Sequence, residues 1–260
     1  MTLASIALHQ PDFNPPAGSE EFYAECMRVL ARSQIPFLVS GTYAVGCYTG
    51  VTRPTKDVDV FARPGDAFKI LSFFQEAGFR VEIVDERWLG RVLRGERFMD
   101  VIWNMPTVGV PVTDAWFEAA PEVCIYDTPV RLVPPTELIW SKIFVQDRHR
   151  YDGADIAHLF LKRSKEIDWQ RLLAHMELHW EVLLIAILNF RYVYPSEREL
   201  IPRWLLEELI RRVQAQDTIP APGVKVCRGR IFSPRDYHPD VAEWGFSEPF
   251  GNLEERYERH

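Results

Sequence analysis

Residues 36–61 read PFLVSGTYAVGCYTGVTRPTKDVDVF and contain the pattern that decides the fold. The opening apolar run predicts a short buried strand up to Val39, and Gly41 ends it before a short helix over 43–48. After a turn, residues 56–61 alternate polar and apolar side chains, which is typical of a half-buried strand. A strand, a glycine turn, a helix and a second strand therefore follow one another.

The chain outside this stretch changes character near residue 133. Before that point the patterns predict helices and strands in alternation, with helices over 19–33 and 64–77, strands over 79–84 and 97–103, and a hairpin over 124–133. After it they predict mainly helices, over 136–146, 153–162, 169–179, 181–192 and 202–214. We therefore predict an α/β (α+β) domain over 1–133, a helical C-terminal lobe over 134–215 and an irregular, proline-containing tail over 216–260 that packs on the surface.

The composition excludes several classes of protein. Of the 260 residues, 47% are hydrophobic and 26% are charged, which is incompatible with a mostly disordered chain. The net charge of −7 argues against non-specific coating of nucleic acid, because phosphate binding needs local positive charge. The most apolar run, 182–188, is far shorter than the ~20 residues of a membrane span, and the N-terminus lacks a basic signal-peptide region. We expect a cytoplasmic protein with reduced cysteines and no membrane partner.

Three aspartates within apolar strands are the main candidates for chemistry. Asp57 and Asp59 are two residues apart, so a strand places both carboxylates on one face, and Asp100 lies on a later strand with apolar neighbours. If these strands pair, three carboxylates converge, and they must then be protonated, face water or bind a hard cation such as Mg²⁺. The alternative is that they are aspartates at strand ends that face solvent.

The residues before these aspartates favour a phosphate site. Gly41 and Thr42 follow a buried strand and open a helix, where backbone N–H groups, the helix dipole and a hydroxyl can hold phosphate. The order strand, Gly41-Thr42, helix, Arg53-x-Thr55-x-Asp57-x-Asp59 and then Asp100 resembles the nucleotidyltransferase superfamily, of which DNA polymerase beta is the best-known member. Thr42 stands where that superfamily usually has Gly or Ser.

A second resemblance continues along the chain. Residues 135–142 and 150–156 are similar to the region after the core in the abortive-infection (type IV toxin) nucleotidyltransferases and their uncharacterised bacterial relatives, so the similarity covers roughly 35–160. In those families a lysine meets the triphosphate and a nearby Arg/Asp cluster supports it. The resemblance therefore implies that Lys142 binds the triphosphate, with Asp155 favoured over Asp152 as the supporting acid.

The resemblance implies a nucleotidyltransferase fold, with a mixed sheet flanked by helices, and a Mg²⁺-dependent enzyme. Asp57, Asp59 and Asp100 would hold two Mg²⁺ ions, with Mn²⁺ as a substitute, and Gly41, Thr42, Arg53, Lys142 and Asp155 would bind the nucleoside triphosphate. A nucleoside monophosphate would pass to a hydroxyl of a tRNA, a protein or a small molecule. The alternative function is a catalytically silent nucleotide-binding or antitoxin-like partner that keeps the fold. The sequence predicts no oligomeric state.

Other residues have simpler interpretations. His175 and His179 have the spacing of metal ligands on a helix, but without a third ligand we interpret them as surface histidines rather than a zinc site. The basic run 148–150 fits a solvated helix end as well as a contact to an acceptor phosphate or RNA. The basic residues Arg211, Arg212 and those of 225–230 are interpreted as a solvated face.

Overall fold

A five-stranded mixed sheet forms the centre of the first part of the chain in the computed structural model, which describes residues 8–105 and 107–249. Its strands are β1 (Leu38–Val39), β2 (Asp57–Phe61), β3 (Arg80–Asp85), β4 (Leu89–Arg94) and β5 (Arg97–Ile102). They lie in the order β1-β2-β5-β4-β3. Strands β2 and β5 are parallel, and the other neighbouring pairs are antiparallel. The predicted α/β class with a mixed sheet is confirmed.

One face of this sheet is apolar and the other carries the aspartates. Side chains alternate along a strand, so the valines of β2 point away from Asp57 and Asp59. Val58, Val60 and Val101 are at most 1% exposed. Helices α1 (Glu20–Ser33) and α3 (Pro64–Glu76) contact each other and the sheet, and their buried residues form one core with these valines. The core thereby fixes which face the aspartates occupy.

The remaining elements of this part frame the sheet. Helix α2 (Gly41–Thr49) connects β1 to β2, and helix α4 (Asp114–Glu118) follows the short hairpin of β6 (Asn104–Met105) and β7 (Val110–Pro111). A second hairpin, β8 (Glu122–Ile125) and β9 (Thr128–Arg131), continues to Leu132, which bridges in parallel to Val39 of β1.

The chain divides into two compact units, Met1–Leu138 and Ile139–His260. The division falls within helix α5 (Pro135–Lys142). The second unit contains α6 (Gly153–Arg163), α7 (Trp169–His175), α8 (Trp180–Val193), α9 (Arg203–Gln216) and α10 (His238–Ala242), with short 3₁₀ turns at Glu177–His179, Pro195–Leu200 and Gly229–Ile231. Its core includes Leu159, Phe160, Leu183, Ile187 and Phe190, which are fully buried.

Parts of the predicted division fall outside the described residues, namely 1–7 and 106 of the first domain and 250–260 of the tail. The described part of the tail contains short helical turns and a parallel bridge between Val226 and Ser247. Its buried residues include Cys227, Arg230 and Ile231. The three-part division itself stays a prediction.

Several predicted elements are corrected. The helix predicted over 136–146 ends at Lys142, and the helix predicted over 169–179 is interrupted at Met176, where a 3₁₀ turn follows. Strand β4 and helix α4 have no counterpart among the sequence predictions. Within the described residues no single helix is long and apolar enough to span a membrane, while Trp169–His175 and Glu177–Val193 satisfy the length and composition only as a pair bent by 73°.

Candidate active site

The register between β2 and β5 brings the three predicted aspartates together. Asp59 pairs with Asp100, and Asp57 lies two residues earlier on the same face of β2. Paired residues of neighbouring strands point to the same side of a sheet. Asp57, Asp59 and Asp100 each offer a carboxylate oxygen within 4.8 Å of the others. Asp57 and Asp59 are half-buried, and Asp100 is 8% exposed.

Gly41 lies against this cluster because of the pairing of β1 with β2. Val39 pairs with Val60, and the Ser40 N–H then donates to the Asp59 carbonyl at 2.9 Å. Gly41 has a φ of +59°, and a Cβ placed on it would lie 2.0 Å from Asp59 Oδ2. Both the backbone conformation and the contact therefore require glycine at this position.

Helix α2 points its N-terminus at the same cluster. Gly41 and Thr42 are its first residues, and the side chain of Ser40 at the N-cap makes no capping hydrogen bond. The first N–H groups of a helix have no acceptor within the helix, and the dipole adds partial positive charge there. The half-buried Thr42 adds a hydroxyl. This end of the helix suits an anion held beside Asp59.

The segment before β2 fixes Asp57. The Thr55 hydroxyl lies 3.0 Å from the Asp57 carbonyl oxygen and 3.3 Å from its Oδ1. Tyr23 of α1 donates to the Lys56 carbonyl at 2.7 Å, and burial together with the charge of Asp57 raises the pKa of Tyr23 to about 12. Arg53 lies half-buried in this connection between α2 and β2.

Arg91 of β4 is a charged residue of the site that the sequence predictions missed. It pairs with Asp100 in the antiparallel register of β4 and β5. Its Nε lies 2.7 Å from Asp100 Oδ1 and its Nη2 lies 3.2 Å from Oδ2. This hydrogen bonding to Asp100 raises the pKa of Arg91. Since β4 itself was not predicted, no pattern in the sequence placed this arginine next to the aspartates.

Lys142 and the acids predicted with it form a buried cluster in the second unit. Lys142 Nζ lies 2.9 Å from Asp152 Oδ2 and 2.9 Å from Asp155 Oδ2. Arg150 Nη2 lies 3.2 Å from Asp152 Oδ2. Burial opposes ionisation of Asp152, but the charges of Lys142 and Arg150 outweigh it and lower its pKa. Asp152 and Asp155 therefore both support Lys142, whereas the sequence favoured Asp155.

The other candidates occupy ordinary structural positions. His179 is 6% exposed, so its interpretation as a surface histidine is wrong, and its ring meets Phe144 edge to face. His175 stacks on Trp140 with ring centroids 4.1 Å apart. Arg148 pairs with Asp236, and Arg212 pairs with Glu177 and Glu208.

The aspartate triad has the donor chemistry of a hard-cation site. Across the described ranges it is the one group of three or more acidic, histidine or cysteine side chains close enough to share an ion. Carboxylate oxygens suit Mg²⁺ and Mn²⁺, and thiolate or imidazole ligands, which would favour zinc, are absent from this group. The residues present therefore fit a divalent cation.

Comparison with known proteins finds similarity at the level of solved structures. No family model and no curated protein matches the sequence. ANT(2'')-Ia, solved in complex with adenylyl-2''-tobramycin, is 18% identical with a TM-score of 0.42, over 68% of this chain and 98% of its own. The lincosamide antibiotic adenylyltransferase LnuA is 14% identical with a TM-score of 0.39, over 55% and 95%. An antigenic nucleotidyltransferase-like protein from Paracoccidioides brasiliensis is 14% identical with a TM-score of 0.43, over 70% and 90%.

Identity and TM-score are low in each case.

Proposed function

We propose that this protein is a Mg²⁺-dependent nucleotidyltransferase that transfers a nucleoside monophosphate from a nucleoside triphosphate to a hydroxyl acceptor. The observation that carries the proposal is the position of three convergent carboxylates directly beside the N-terminus of α2. The carboxylates can hold divalent cations, and the N-terminus of α2 can hold phosphate. Nucleoside triphosphates combine both requirements, since they bind enzymes together with Mg²⁺.

In this proposal Asp57 and Asp59 would hold two divalent ions, and Asp100 would complete the site of one of them. When bound, the ions supply positive charge that lowers the pKa of the acceptor hydroxyl and neutralises the triphosphate and the leaving pyrophosphate. The residues of the chain do the positioning. Thr55 orients Asp57, and the backbone contact at Ser40 orients the strand at Asp59.

The triphosphate is proposed to bind at the start of α2. The N–H groups at Gly41 and Thr42 would donate to the β- and γ-phosphates, and the absence of a Cβ at Gly41 allows the backbone to approach Asp59 closely. Arg53, Lys142 and Asp155 are proposed substrate-binding residues on the resemblance alone. All three acids of the superfamily pattern are present, which favours activity over the silent partner.

Label transfer tests the proposal. The wild-type protein is incubated with each α-³²P-labelled nucleoside triphosphate and Mg²⁺, in separate reactions with total RNA, total protein and a panel of hydroxylated small molecules. We expect one acceptor class to become labelled in a reaction that EDTA stops. The matched variants are Asp59→Asn, which removes one charge of the triad, and Asp217→Asn, which removes one exposed charge.

The expected result is no labelled product with Asp59→Asn and wild-type labelling with Asp217→Asn. Binding of the triphosphate without transfer to any acceptor class would favour the silent partner instead. Labelling by Asp59→Asn at the wild-type rate would contradict the proposed site.

A further inference from the structure

The guanidinium of Arg91 contacts Asp100 through two hydrogen bonds at once. The Nε to Oδ1 distance is 2.7 Å and the Nη2 to Oδ2 distance is 3.2 Å, so one nitrogen meets each carboxylate oxygen. A planar guanidinium bound in this way fixes the orientation of its carboxylate as well as its charge. The side chains of Arg91 and Asp100 are 23% and 11% exposed. The pair is therefore largely shielded from solvent and from screening by salt.

The surroundings hold Arg91 in this position. Its guanidinium carbon lies 4.2 Å from the centroid of the Phe98 ring, the distance of a cation–π contact. Phe98 is the register partner of Asp57 on the triad face. Glu82 of β3 is the register partner of Arg91. The Oε2 atom of Glu82 lies 3.5 Å from Nη2 of Arg80. Arg91 thus stands between the triad and a more exposed acid.

The charges of the site show what Arg91 contributes. Three ionised carboxylates within 4.8 Å repel one another, and the strand register keeps all three on one face of the sheet. A hard cation would offset this repulsion when it is bound. Without one, Arg91 supplies a positive charge in direct contact with Asp100 of the triad.

We propose that Arg91 is a positioning residue of the active site, which orients the third carboxylate and offsets one negative charge, so that the triad is already assembled before a divalent cation binds. The inference rests on the proposed function, since it assumes that the triad is a cation site. It assigns to β4 a role in setting how tightly the divalent cation binds. The positive charge of Arg91 lies next to Asp100, so it weakens the electrostatic attraction between the triad and a divalent cation.

Two variants separate the charge of Arg91 from its geometry. Arg91→Met keeps the length of the side chain and removes the charge, and Arg91→Lys keeps the charge but not the paired hydrogen bonds. The control is Arg94→Met on the same strand. Arg94 makes an equivalent two-fold contact to Glu25, at 2.5 and 3.0 Å, on the opposite face of β4.

The experiment measures the melting temperature in EDTA and in saturating Mg²⁺, and Mn²⁺ affinity by electron paramagnetic resonance. We expect Arg91→Met to melt several degrees below wild type in EDTA. Mg²⁺ should recover more than about half of that loss, because the bound cation offsets the charge of Asp100 that Arg91 no longer offsets. The Mn²⁺ dissociation constant of Arg91→Met is expected to fall at least about threefold. Arg91→Lys keeps the charge but loses the paired hydrogen bonds that orient Asp100, so it should bind Mn²⁺ more weakly than wild type. Arg94→Met should lose the same amount of stability with and without Mg²⁺.

An equal loss of melting temperature in EDTA and in Mg²⁺ for Arg91→Met would overturn the inference, and so would a Mn²⁺ affinity that is unchanged or weaker. The proposed function fails separately: in that case wild-type protein itself shows no Mn²⁺ binding and no Mg²⁺-dependent shift. If wild type binds Mn²⁺ and is stabilised by Mg²⁺, but Arg91→Met behaves like the control Arg94→Met, only the proposed role of Arg91 is refuted.

Discussion

Gly41 is a position where both the fold and the candidate site depend on the absence of a side chain. Its φ of +59° belongs to the left-handed region, and any Cβ would meet the Asp59 carboxylate. The sequence predicted a glycine turn here from the break after Val39, and it predicted a phosphate site from the helix that follows. It could not predict the contact with Asp59, because that contact depends on the register between β1 and β2.

Replacing Gly41 by Ala should destabilise the protein more than replacing a glycine whose surroundings are open. Gly95→Ala is the matched control, because Gly95 has a φ of +62° and no atom within 4 Å of its Cβ position. Left-handed strain alone costs about 1–2 kcal/mol, and Gly41→Ala adds the clash with Asp59. Chemical denaturation should show the larger loss for Gly41→Ala. An equal loss in both variants would mean that Asp59 does not contact Gly41 in solution.

Asp59→Asn is expected to leave the metal-free protein as stable as wild type or more stable. The substitution removes one of three like charges within 4.8 Å, and functional sites commonly give up stability in this way. Thermal melts in EDTA measure the effect, with Asp217→Asn as the control. A melting temperature clearly below that of wild type would show that the Asp59 charge stabilises the fold.

At the scale of elements, the sequence predicted the helices and strands whose apolar residues repeat with a clear period, and it missed strand β4, which has no such period. Strand β2 alternates, and helix α1 repeats its apolar residues at helical spacing, so both were predicted close to their observed bounds. Strand β4 reads LGRVLR, in which apolar and charged residues do not alternate. Its place in the sheet comes from pairing with β3 and β5, which is long-range information. Arg91 was missed for this reason.

Helices α5 and α6 are joined by a buried ion cluster rather than by apolar contacts alone. Lys142 ends α5, Asp152 is at the N-cap position of α6 and Asp155 is in its first turn. Acidic residues at a helix start are favourable, and here they also receive the ammonium of Lys142. The three side chains are between 2% and 6% exposed, so none of them can exchange its partner for water.

Lys142→Met should therefore lower the stability of the protein strongly, by about 3–5 kcal/mol, because it removes the ammonium that contacts both buried acids, of which Asp152 keeps its contact with Arg150. The double variant Lys142→Met/Asp155→Asn should recover part of that loss, and the exposed Lys165→Met is the control. Denaturant midpoints measure all three. If Lys142→Met is as stable as Lys165→Met, the cluster is not formed in solution.

The same variant tests the resemblance to the toxin-like families. If Lys142 binds the triphosphate, Lys142→Met loses nucleotide affinity at temperatures where it is still folded. If its role is only to hold α6, affinity at those temperatures equals that of wild type. Titration of Mg²⁺-nucleoside triphosphate below the melting range separates the two outcomes.

Asp152 makes the stability depend on pH in a defined direction. Its pKa in the folded protein is lowered below the ordinary value of 3.8, so the ionised form stabilises the fold. This contribution is complete above the pKa of the unfolded chain and is lost as pH falls through the lower, folded value. Asp152→Asn should show a shallower loss of stability below about pH 4 than wild type. The measurement is the free energy of unfolding as a function of pH. An identical loss of stability at acid pH in wild type and in Asp152→Asn would contradict this role of Asp152.

At the scale of the whole molecule, charge decides how a triphosphate can bind. The chain carries a net charge of −7, and the proposed site adds three carboxylates at one point. A bare triphosphate is repelled by both, so the proposed site needs a divalent cation between nucleotide and aspartates. Composition and the strand patterns were enough to predict this requirement. The acceptor was not predictable, because no motif in the sequence is specific to one class of hydroxyl acceptor.

Cation-dependent nucleotide binding is the most direct test of the central claim, because it does not require the acceptor to be known. The melting temperature is measured with nucleoside triphosphate and Mg²⁺, and with nucleoside triphosphate and EDTA, for wild type and for Asp57→Asn. Ligand at 100 times its Kd adds about 2.7 kcal/mol of stability. We predict a clear upward shift for wild type with Mg²⁺, a far smaller one with EDTA, and none for Asp57→Asn. Equal shifts with and without Mg²⁺, or an undiminished shift in Asp57→Asn, would contradict the assignment of the aspartate triad as the nucleotide site.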